Sequence, residues 1–341
     1  METEALQCPL KPKDFASDQE VKWCPGCGDY AVLNAVQRAL SELNLKKEEV
    51  TFVSGIGCSS RFPYYVDTYG FHTIHGRGAA IATGVKVANP NLSVWLATGD
   101  GDSLAIGGNH FIHAIRRNVN MNMILFNNEI YGLTKGQYSP TSERGKVTKS
   151  SPHGTVEDPF NPAELAMGAQ SSFYARVPDT DVKLMAKTMV EAEKHQGLSL
   201  VEVLQNCVIF NDKVHAAITG KETKADNQLI LEHGKPMLFG ADNTKGLRLN
   251  GLELEVVTIG ENGITEADVL VHDETMANPI LHIMLSQMKL PELPIAMGVI
   301  RNVEKNVYDQ ALHAQRDYEM DNSKFGSLND LFLSGNTFKV N

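Results

Sequence analysis

Two short polar motifs lie where predicted strands end. Gly99-Asp100-Gly101-Asp102 follows one apolar run, and Asn127-Asn128 follows the next. Neighbouring parallel strands bring their carboxyl ends to one edge of a sheet, so Asp100 and Asn128 can meet there. Carboxylate and amide oxygens suit octahedral Mg²⁺, and glycines let backbone N–H groups approach phosphate oxygens. The alternative is an ordinary strand-to-helix turn without a ligand.

Four of the five cysteines occupy positions that indicate ligation. Cys24 and Cys27 form a Cys-x-x-Cys motif, while Cys58 and Cys207 each follow a predicted strand. Four thiolates suit either zinc or an iron-sulfur cluster, and spacing alone does not separate the two. A thioredoxin-like dithiol and a buried, unliganded Cys207 are the alternatives. Cys8 has no assigned role.

In the segments that carry these motifs, the spacing of apolar residues alternates between that of helices and that of strands. We predict an α/β fold with a doubly wound, mostly parallel sheet over residues 1–211. Asp29 is placed to cap the first helix. Helices are predicted at residues 29–43, 79–88, 109–117 and 179–195, and strands at 50–55, 71–76, 93–97, 121–126, 173–177 and 200–203.

Two further segments differ in character from this pattern. Residues 131–162 are rich in Gly, Ser, Thr, Pro and Lys without periodicity, and loops of that length are typically functional. Residues 249–288 contain no Lys or Arg but include seven acidic residues between Glu253 and Glu274. We interpret residues 212–341 as a C-terminal extension that forms a subunit-contact arm; a solvated acidic face is the alternative.

Composition excludes several classes of protein. The 341 residues include 42% apolar residues, enough for a sizeable core. The net charge of −10 argues against nucleic-acid binding, and no run is long enough to predict a membrane span. No signal peptide is recognisable at the start, so we predict a cytoplasmic protein, in which five cysteines are not a disulfide framework.

The motifs together resemble known families. GDG, then about 25 residues and NN, resembles the thiamine diphosphate (ThDP) fingerprint. WCPGCG, GIGCSSR, IHGRGAAIATGVK, GDGD and NNEIYGLTKGQYSPT, in this order over about residues 21–207, resemble the β-subunit of 2-oxoacid:ferredoxin oxidoreductases. The resemblance implies conversion of a 2-oxoacid, coenzyme A and oxidised ferredoxin to acyl-CoA, carbon dioxide and reduced ferredoxin.

The resemblance also implies ligand sets. Mg²⁺ would be held by Asp100, Asn128 and the carbonyl of Ile130, and a 4Fe-4S cluster by Cys24, Cys27, Cys58 and Cys207. Since this oxidation needs an electron acceptor, the family favours the cluster over zinc. Asp29 is expected to touch the aminopyrimidine ring. The other residues expected to bind the cofactor are Ile56, Gly57, Cys58, Ser59, His75, Gly99, Gly101, Asp102, Tyr131, Gly132, Leu133 and Thr134.

Cationic side chains in the matching motifs indicate the substrate. Arg61 and Lys135 could neutralise the second carboxylate of a dicarboxylic 2-oxoacid, which favours 2-oxoglutarate over pyruvate. Arg61 could instead serve the cluster, coenzyme A or a subunit interface. His75 and Arg77 are candidates for contact with diphosphate or substrate carboxylate, or are a structural pair.

The resemblance finally implies a partner. ThDP chemistry needs a carboxylate against the aminopyrimidine ring, and the 98 residues before Gly99 leave no room for the domain that supplies it. We expect an α-subunit to provide that glutamate in an α2β2 assembly, and a separate ferredoxin to accept electrons. A non-oxidative ThDP decarboxylase subunit with structural zinc, and a silent nucleotide-binding subunit, remain competing interpretations.

Overall fold

The computed structural model describes residues 9–340. Cys8 lies outside the described residues. The strands of the described part are β1 (Val50–Ser54), β2 (Tyr69–His72), β3 (Ser93–Gly99), β4 (Met121–Asn127), β5 (Phe173–Pro178), β6 (Leu198–Leu204), β7 (Gln228–Ile230), β8 (Leu238–Phe239), β9 (Lys245–Asn250), β10 (Glu253–Thr258) and β11 (Ile295–Asn302). No helix between residues 9 and 340 combines the length and apolarity that a membrane crossing requires.

Helices separate most of these strands along the chain. They are α1 (Asp29–Glu42), α2 (Phe62–Tyr65), α3 (Gly78–Ala88), α4 (Asp100–Leu104), α5 (Gly108–Arg117), α6 (Pro162–Gly168), α7 (Val182–Lys194), α8 (Ala216–Thr219), α9 (Lys224–Asn227), α10 (Ile280–Gln287), α11 (Tyr308–Asp321) and α12 (Leu328–Phe332).

Eight strands form the main sheet in the order β2-β1-β3-β4-β6-β5-β11-β7. The first six are mutually parallel, whereas β11 runs antiparallel to β5. All residues of β4 and β6 are buried, as expected for strands covered on both faces. The predicted α/β, doubly wound, mostly parallel sheet is therefore confirmed.

Helices cover both faces of this sheet. On one face, α3 and α5 contribute Ala82, Phe111 and Ile115 to a buried apolar cluster. On the other face, α1 and α7 contribute Val36 and Met189 to a second cluster. Because the sheet lies between two packed layers, its strands are held in register and the carboxyl ends of β1, β3, β4 and β6 share one edge.

Two local predictions were wrong. Asp29 does not cap α1: Gly28 is the N-cap residue, and Asp29 is buried in the first turn. The second strand ends at His72 rather than at residue 76, because Gly76 has a φ of +66° and its N–H donates to Asp102 Oδ1 at 2.9 Å. His75 consequently lies in the turn before α3.

Residues beyond 212 contribute to two sheets. Strands β7 and β11 extend the main sheet, while β8, β9 and β10 form a small antiparallel sheet. Helix α11 contacts α3, where His313 Nε2 lies 2.9 Å from the carbonyl oxygen of Val87. The division at residue 212 and the role as a subunit-contact arm stay predictions.

Candidate functional site

A cavity of about 180 Å³, which we call the glycine-turn cavity, lies at the carboxyl edge of the main sheet. Its lining comes from the ends of β1, β3 and β4, as the parallel topology requires. Apart from Asp29, all residues expected to bind the cofactor line it, and Ile106 joins them. They are Ile56, Gly57, Cys58, Ser59, His75, Gly99, Asp100, Gly101, Asp102, Asn128, Ile130, Tyr131, Gly132, Leu133 and Thr134.

Asp100 is fixed in this cavity by two hydroxyl groups from the long loop. Ser139 Oγ donates to Asp100 Oδ2 at 2.6 Å, and Thr141 Oγ1 donates to the same oxygen at 2.5 Å. The Asp100 residue is only 2% exposed, and burial raises the pKa of its carboxyl group despite these hydrogen bonds. A divalent cation beside the carboxylate would offset that cost.

The pKa values of two neighbouring acidic groups are raised in the same way. Burial, followed by the charges of Glu143 and Asp100, raises the pKa of Glu129 to about 8. Burial is also the main reason that the pKa of Tyr131 rises to about 12, with Asp100 and Asp102 adding to it. The donor set is therefore rich in oxygen and in excess negative charge, which fits Mg²⁺.

Asn128 and its neighbours complete the oxygen donors. The Asn128 Oδ1 atom accepts a 3.2 Å hydrogen bond from the Ile130 N–H, and its Nδ2 donates to Gln205 Oε1 at 2.8 Å. The nitrogen of the Asn128 amide therefore contacts Gln205, and its oxygen contacts Ile130. The arrangement can offer amide and carbonyl oxygens to a metal ion.

Glycines are needed in the loops after β1 and β3. A Cβ atom on Gly101 would lie 2.1 Å from Tyr131 Cε1, and the Tyr131 hydroxyl donates to the Gly101 carbonyl at 3.0 Å. Gly57, with a φ of +134°, has nothing within 4 Å of its Cβ position, so it leaves open space at the cavity. A side chain at Gly101 would therefore collide with the Tyr131 ring, and one at Gly57 would fill space at the cavity.

Asp102 has a different role from the other polar residues of this turn. Its Oδ1 accepts from the Gly76 N–H, and Thr98 Oγ1 donates to its Oδ2 at 3.3 Å. Asp102 therefore ties the turn before α3 to the glycine turn. His75 Nδ1 lies 3.8 Å from Asp102 Oδ1 at the exposed rim.

The four candidate cysteine ligands line a second cavity, of about 210 Å³, which we call the cysteine cavity. Cys24 is exposed, Cys207 is buried, and Cys27 and Cys58 are intermediate; all four are free thiols. The cavity lining also includes Asp29, Arg61 and Lys135. Within residues 9–340 no group of three or more His, Cys, Asp or Glu side chains lies close enough together to bind a single metal ion. The four cysteines instead line a cavity.

Hydrogen bonds connect the three cysteine-bearing segments. Trp23 Nε1 donates to the Cys58 carbonyl at 2.7 Å, and the Gly28 N–H donates to the Asn206 carbonyl at 3.2 Å. The Asn206 N–H in turn donates to Asp179 Oδ2 at 2.7 Å. The thiols are consequently held around the cavity by backbone contacts of their own loops.

The electrostatics of this cavity disfavour free thiolates. Burial, then the charge of Asp29, raises the pKa of the Cys58 thiol to about 12 and that of Cys27 still further. Burial likewise raises the pKa of Asp29 to about 7, and Asp29 Oδ2 has no hydrogen-bond partner. A cationic metal centre would supply the positive charge that these groups need as anions.

The two cavities share a wall. Cys58, Asn128, Gly132 and Leu133 line both. The Cβ position of Gly132 lies 3.5 Å from the Sγ atoms of both Cys58 and Cys207, so this glycine of the shared wall is in contact with two of the thiols. Groups bound in the two cavities would be close neighbours.

The candidate substrate-binding cations are distributed around both cavities. Arg61 lines the cysteine cavity and a third, more open cavity that includes Ile56 and Gly57. Of these three cavities in the described residues, Lys135 lines just the cysteine cavity and His75 just the glycine-turn cavity. Arg61 and Lys135 thus line the same cavity, and their roles in binding substrate stay predictions.

Several residues of the site were not identified from the sequence. Ser139 and Thr141 lie in the long loop that we expected to be functional, within the NNEIYGLTKGQYSPT motif, but received no role. Gln205 and Asp179 gave no recognisable signal because their importance depends on which loops pack together.

Comparisons with known proteins agree with this geometry. Residues 55–203 match the family model "Thiamine pyrophosphate enzyme, C-terminal TPP binding domain". The chain is 50% identical over 308 residues to 2-oxoglutarate oxidoreductase subunit KorB of Mycobacterium tuberculosis, covering 90% of this chain and 82% of the relative. It is also 47% identical over 190 residues to a 2-oxoacid:ferredoxin oxidoreductase β-subunit of Aeropyrum pernix, covering 56% and 60%.

A solved structure shows the same fold. The 2-oxoglutarate:ferredoxin oxidoreductase of Magnetococcus marinus, with 2-oxoglutarate, coenzyme A and succinyl-CoA bound, has a TM-score of 0.76 and 32% identity. The similarity covers 96% of this chain and 97% of that one. With the ThDP-type cavity, the fold and a closely related KorB sequence in agreement, this chain belongs to the β-subunits of the 2-oxoacid:ferredoxin oxidoreductases.

Proposed function

We propose that the glycine-turn cavity holds the diphosphate of ThDP through Mg²⁺. Asp100 and Asn128 would contribute side-chain oxygens to the ion, and Ile130 its carbonyl oxygen. The convergence of these residues at one sheet edge and the raised pKa of buried Asp100 support the assignment. The glycines of the turn would donate backbone N–H groups to phosphate oxygens.

We further propose that Cys24, Cys27, Cys58 and Cys207 hold a 4Fe-4S cluster. The observation that carries this function is the wall shared by the two cavities, because electron transfer needs the two groups to be neighbours. When bound, ThDP supplies carbanion stabilisation and the cluster supplies one-electron transfer. Zinc could use the thiols but could not accept electrons.

The proposed reaction is the coenzyme A-dependent oxidative decarboxylation of 2-oxoglutarate to succinyl-CoA, with electrons passed to ferredoxin. It can also run in reverse as a carboxylation. Arg61 would bind the distal carboxylate of the substrate from the open cavity beside Ile56 and Gly57. Lys135 would add positive charge, and His75 would contact diphosphate or substrate at the rim.

The exposed edge of the cysteine cavity is the proposed exit for electrons. Cys24 is exposed there, and the exposed side chains of Lys22 and Lys135 line the same cavity. Ferredoxins that carry negative charge would be attracted to such cations despite the net charge of −10 of the whole chain. We therefore place ferredoxin docking at this edge.

The catalytic unit includes an α-subunit, which would supply the pyrimidine-binding domain and the catalytic glutamate in an α2β2 complex. The names of the relatives as β or KorB subunits support a partner chain. Coenzyme A would bind jointly with that partner. The cytoplasm is the proposed compartment, because free thiols and a cluster require reducing conditions.

The deciding experiment is an anaerobic assay of the chain copurified with its partner. We expect brown protein, bound iron and sulfide, and dye reduction that depends on both 2-oxoglutarate and coenzyme A. The single chain, loaded with ThDP, Mg²⁺ and cluster, should be inactive. Colourless protein containing zinc and releasing carbon dioxide without dye reduction would instead support a non-oxidative decarboxylase subunit.

A further inference from the structure

One buried side chain connects the two cavities. Gln205 follows β6 and is only 1% exposed. Its Nε2 atom donates to Cys27 Sγ at 3.4 Å, and its Oε1 atom accepts from Asn128 Nδ2 at 2.8 Å. A single amide group therefore contacts a predicted ligand of each cofactor.

The backbone holds this amide in place. The Gln205 N–H donates to the Asn127 carbonyl at 3.0 Å, which continues the pairing of β4 with β6. Its Nε2 also donates to the Asn206 carbonyl at 2.6 Å. With both ends of the amide engaged, its nitrogen faces the sulfur atom and its oxygen faces Asn128.

Each contact has a chemical consequence. An N–H donor to a ligand sulfur stabilises the more electron-rich, reduced state of an iron-sulfur cluster and so raises its reduction potential. An acceptor for the Asn128 amide nitrogen leaves Asn128 Oδ1 as the atom presented to a metal ion. Orientation of this kind reduces the cost of ordering the ligand when the metal binds.

We propose that Gln205 is a positioning residue that sets the reduction potential of the cluster through Cys27 and orients Asn128 for Mg²⁺. This inference rests on the proposed function, because it assumes a cluster on the four cysteines. It goes beyond that function because one residue outside the two ligand sets would influence both the cluster and the Mg²⁺ site.

Two substitutions separate the two contacts. Gln205→Glu retains an oxygen acceptor for Asn128 but removes the donor to sulfur, whereas Gln205→Leu removes both. In the complex purified with its partner, we expect a more negative cluster midpoint potential for both variants in a redox titration followed by electron paramagnetic resonance. The concentration of Mg²⁺ needed to retain ThDP should rise about fivefold in Gln205→Leu only, since a neutral hydrogen bond contributes about 1 kcal/mol.

Gln196→Leu is the matched control, because Gln196 is exposed and lines neither the glycine-turn cavity nor the cysteine cavity. It should leave the potential and the Mg²⁺ requirement unchanged. A wild-type potential in Gln205→Glu with full iron content would overturn the contact with Cys27. A wild-type Mg²⁺ requirement in Gln205→Leu would overturn the contact with Asn128.

The near-isosteric Glu variant keeps the potential measurable if the Leu variant does not fold. In that case a Gln205→Glu variant that needs more Mg²⁺ than wild type would overturn the orienting role, because its acceptor oxygen is retained. Failure of the proposed function is recognised separately: the wild-type complex itself would then contain no iron-sulfur cluster, which would also overturn the part of the inference that concerns Cys27.

Discussion

Ser139 donates a 2.6 Å hydrogen bond to Asp100 although 39 positions separate the two residues in the chain. The contact connects the long loop between β4 and α6 to the end of β3. Thr141 donates a second hydrogen bond to the same carboxylate oxygen. A loop without regular structure is thereby part of the proposed metal site. Its hydroxyl groups set the position of the carboxylate that would bind Mg²⁺.

The first prediction concerns these hydroxyl groups. Ser139→Ala combined with Thr141→Val should weaken ThDP binding in the presence of Mg²⁺ by roughly 10- to 100-fold, because hydrogen bonds to charged groups contribute about 1.5–3 kcal/mol. Binding can be followed by calorimetric titration of the complex. Ser150→Ala, in an exposed part of the same loop, is the control and should bind normally. Equal affinities in all variants would contradict a role in the metal site.

The second prediction concerns the cysteine cavity. Cys58→Ser and Cys207→Ser should each abolish or strongly reduce the visible absorption and iron content of anaerobically purified complex. Binding of ThDP should persist in Cys207→Ser where the fold is retained, because Cys207 does not line the glycine-turn cavity. Cys8→Ser should retain the full cluster, since Cys8 is not among the four ligands. Normal iron content in Cys207→Ser would show that Cys207 is not a ligand.

The third prediction tests the substrate assignment of Arg61. Arg61→Ala should lower kcat/KM for 2-oxoglutarate by about 10- to 100-fold, the effect of losing a charge-assisted contact, while any activity with pyruvate changes little. Arg38→Ala, on an exposed position of α1, should leave both values unchanged. Equal losses for both substrates would exclude a role for Arg61 at the distal carboxylate.

The fourth prediction concerns a buried ion pair beneath the site. Arg176 Nε donates to Glu202 Oε2 at 2.7 Å, and Asn127 Nδ2 donates to Glu202 Oε1 at 2.8 Å. Burial alone would raise the pKa of Glu202, but Arg176 and the hydrogen bonds from Tyr174, Arg176 and Asn127 outweigh it and hold the pKa below its usual value. Glu202→Gln should lower the free energy of unfolding by about 3–5 kcal/mol at neutral pH, because Arg176 loses its counter-charge.

The sign of the pH dependence follows from this lowered pKa. The stabilisation is complete above the pKa of Glu202 in the unfolded chain and is lost as the pH falls through its lower value in the folded chain. The difference between wild type and Glu202→Gln should therefore shrink in acid, as measured by urea unfolding at several pH values. Glu49→Gln, which removes an exposed pair with Lys46, should change stability by less than about 0.5 kcal/mol.

The sequence alone determined the fold class and most of the glycine-turn cavity. The proximity of Asp100 and Asn128 was predictable because each follows a buried-type strand, and neighbouring parallel strands end at one edge of the sheet. The same reasoning placed Cys58 and Cys207 near each other. Elements with strong periodicity, such as α1 and β4, were located to within one or two residues.

Only the tertiary structure decided which loop residues support that site. Ser139 contacts Asp100, and Gln205 contacts both Cys27 and Asn128. These contacts depend on the course of irregular segments, which the spacing of apolar residues does not predict. Asp29 was expected to cap α1, but it is buried beside the thiols because the loop of Gly28 packs against Asp179 and Gln205. Strand periodicity is a local property of the chain, whereas these contacts depend on the packing of segments distant in sequence, and for that reason they emerged only from the folded structure.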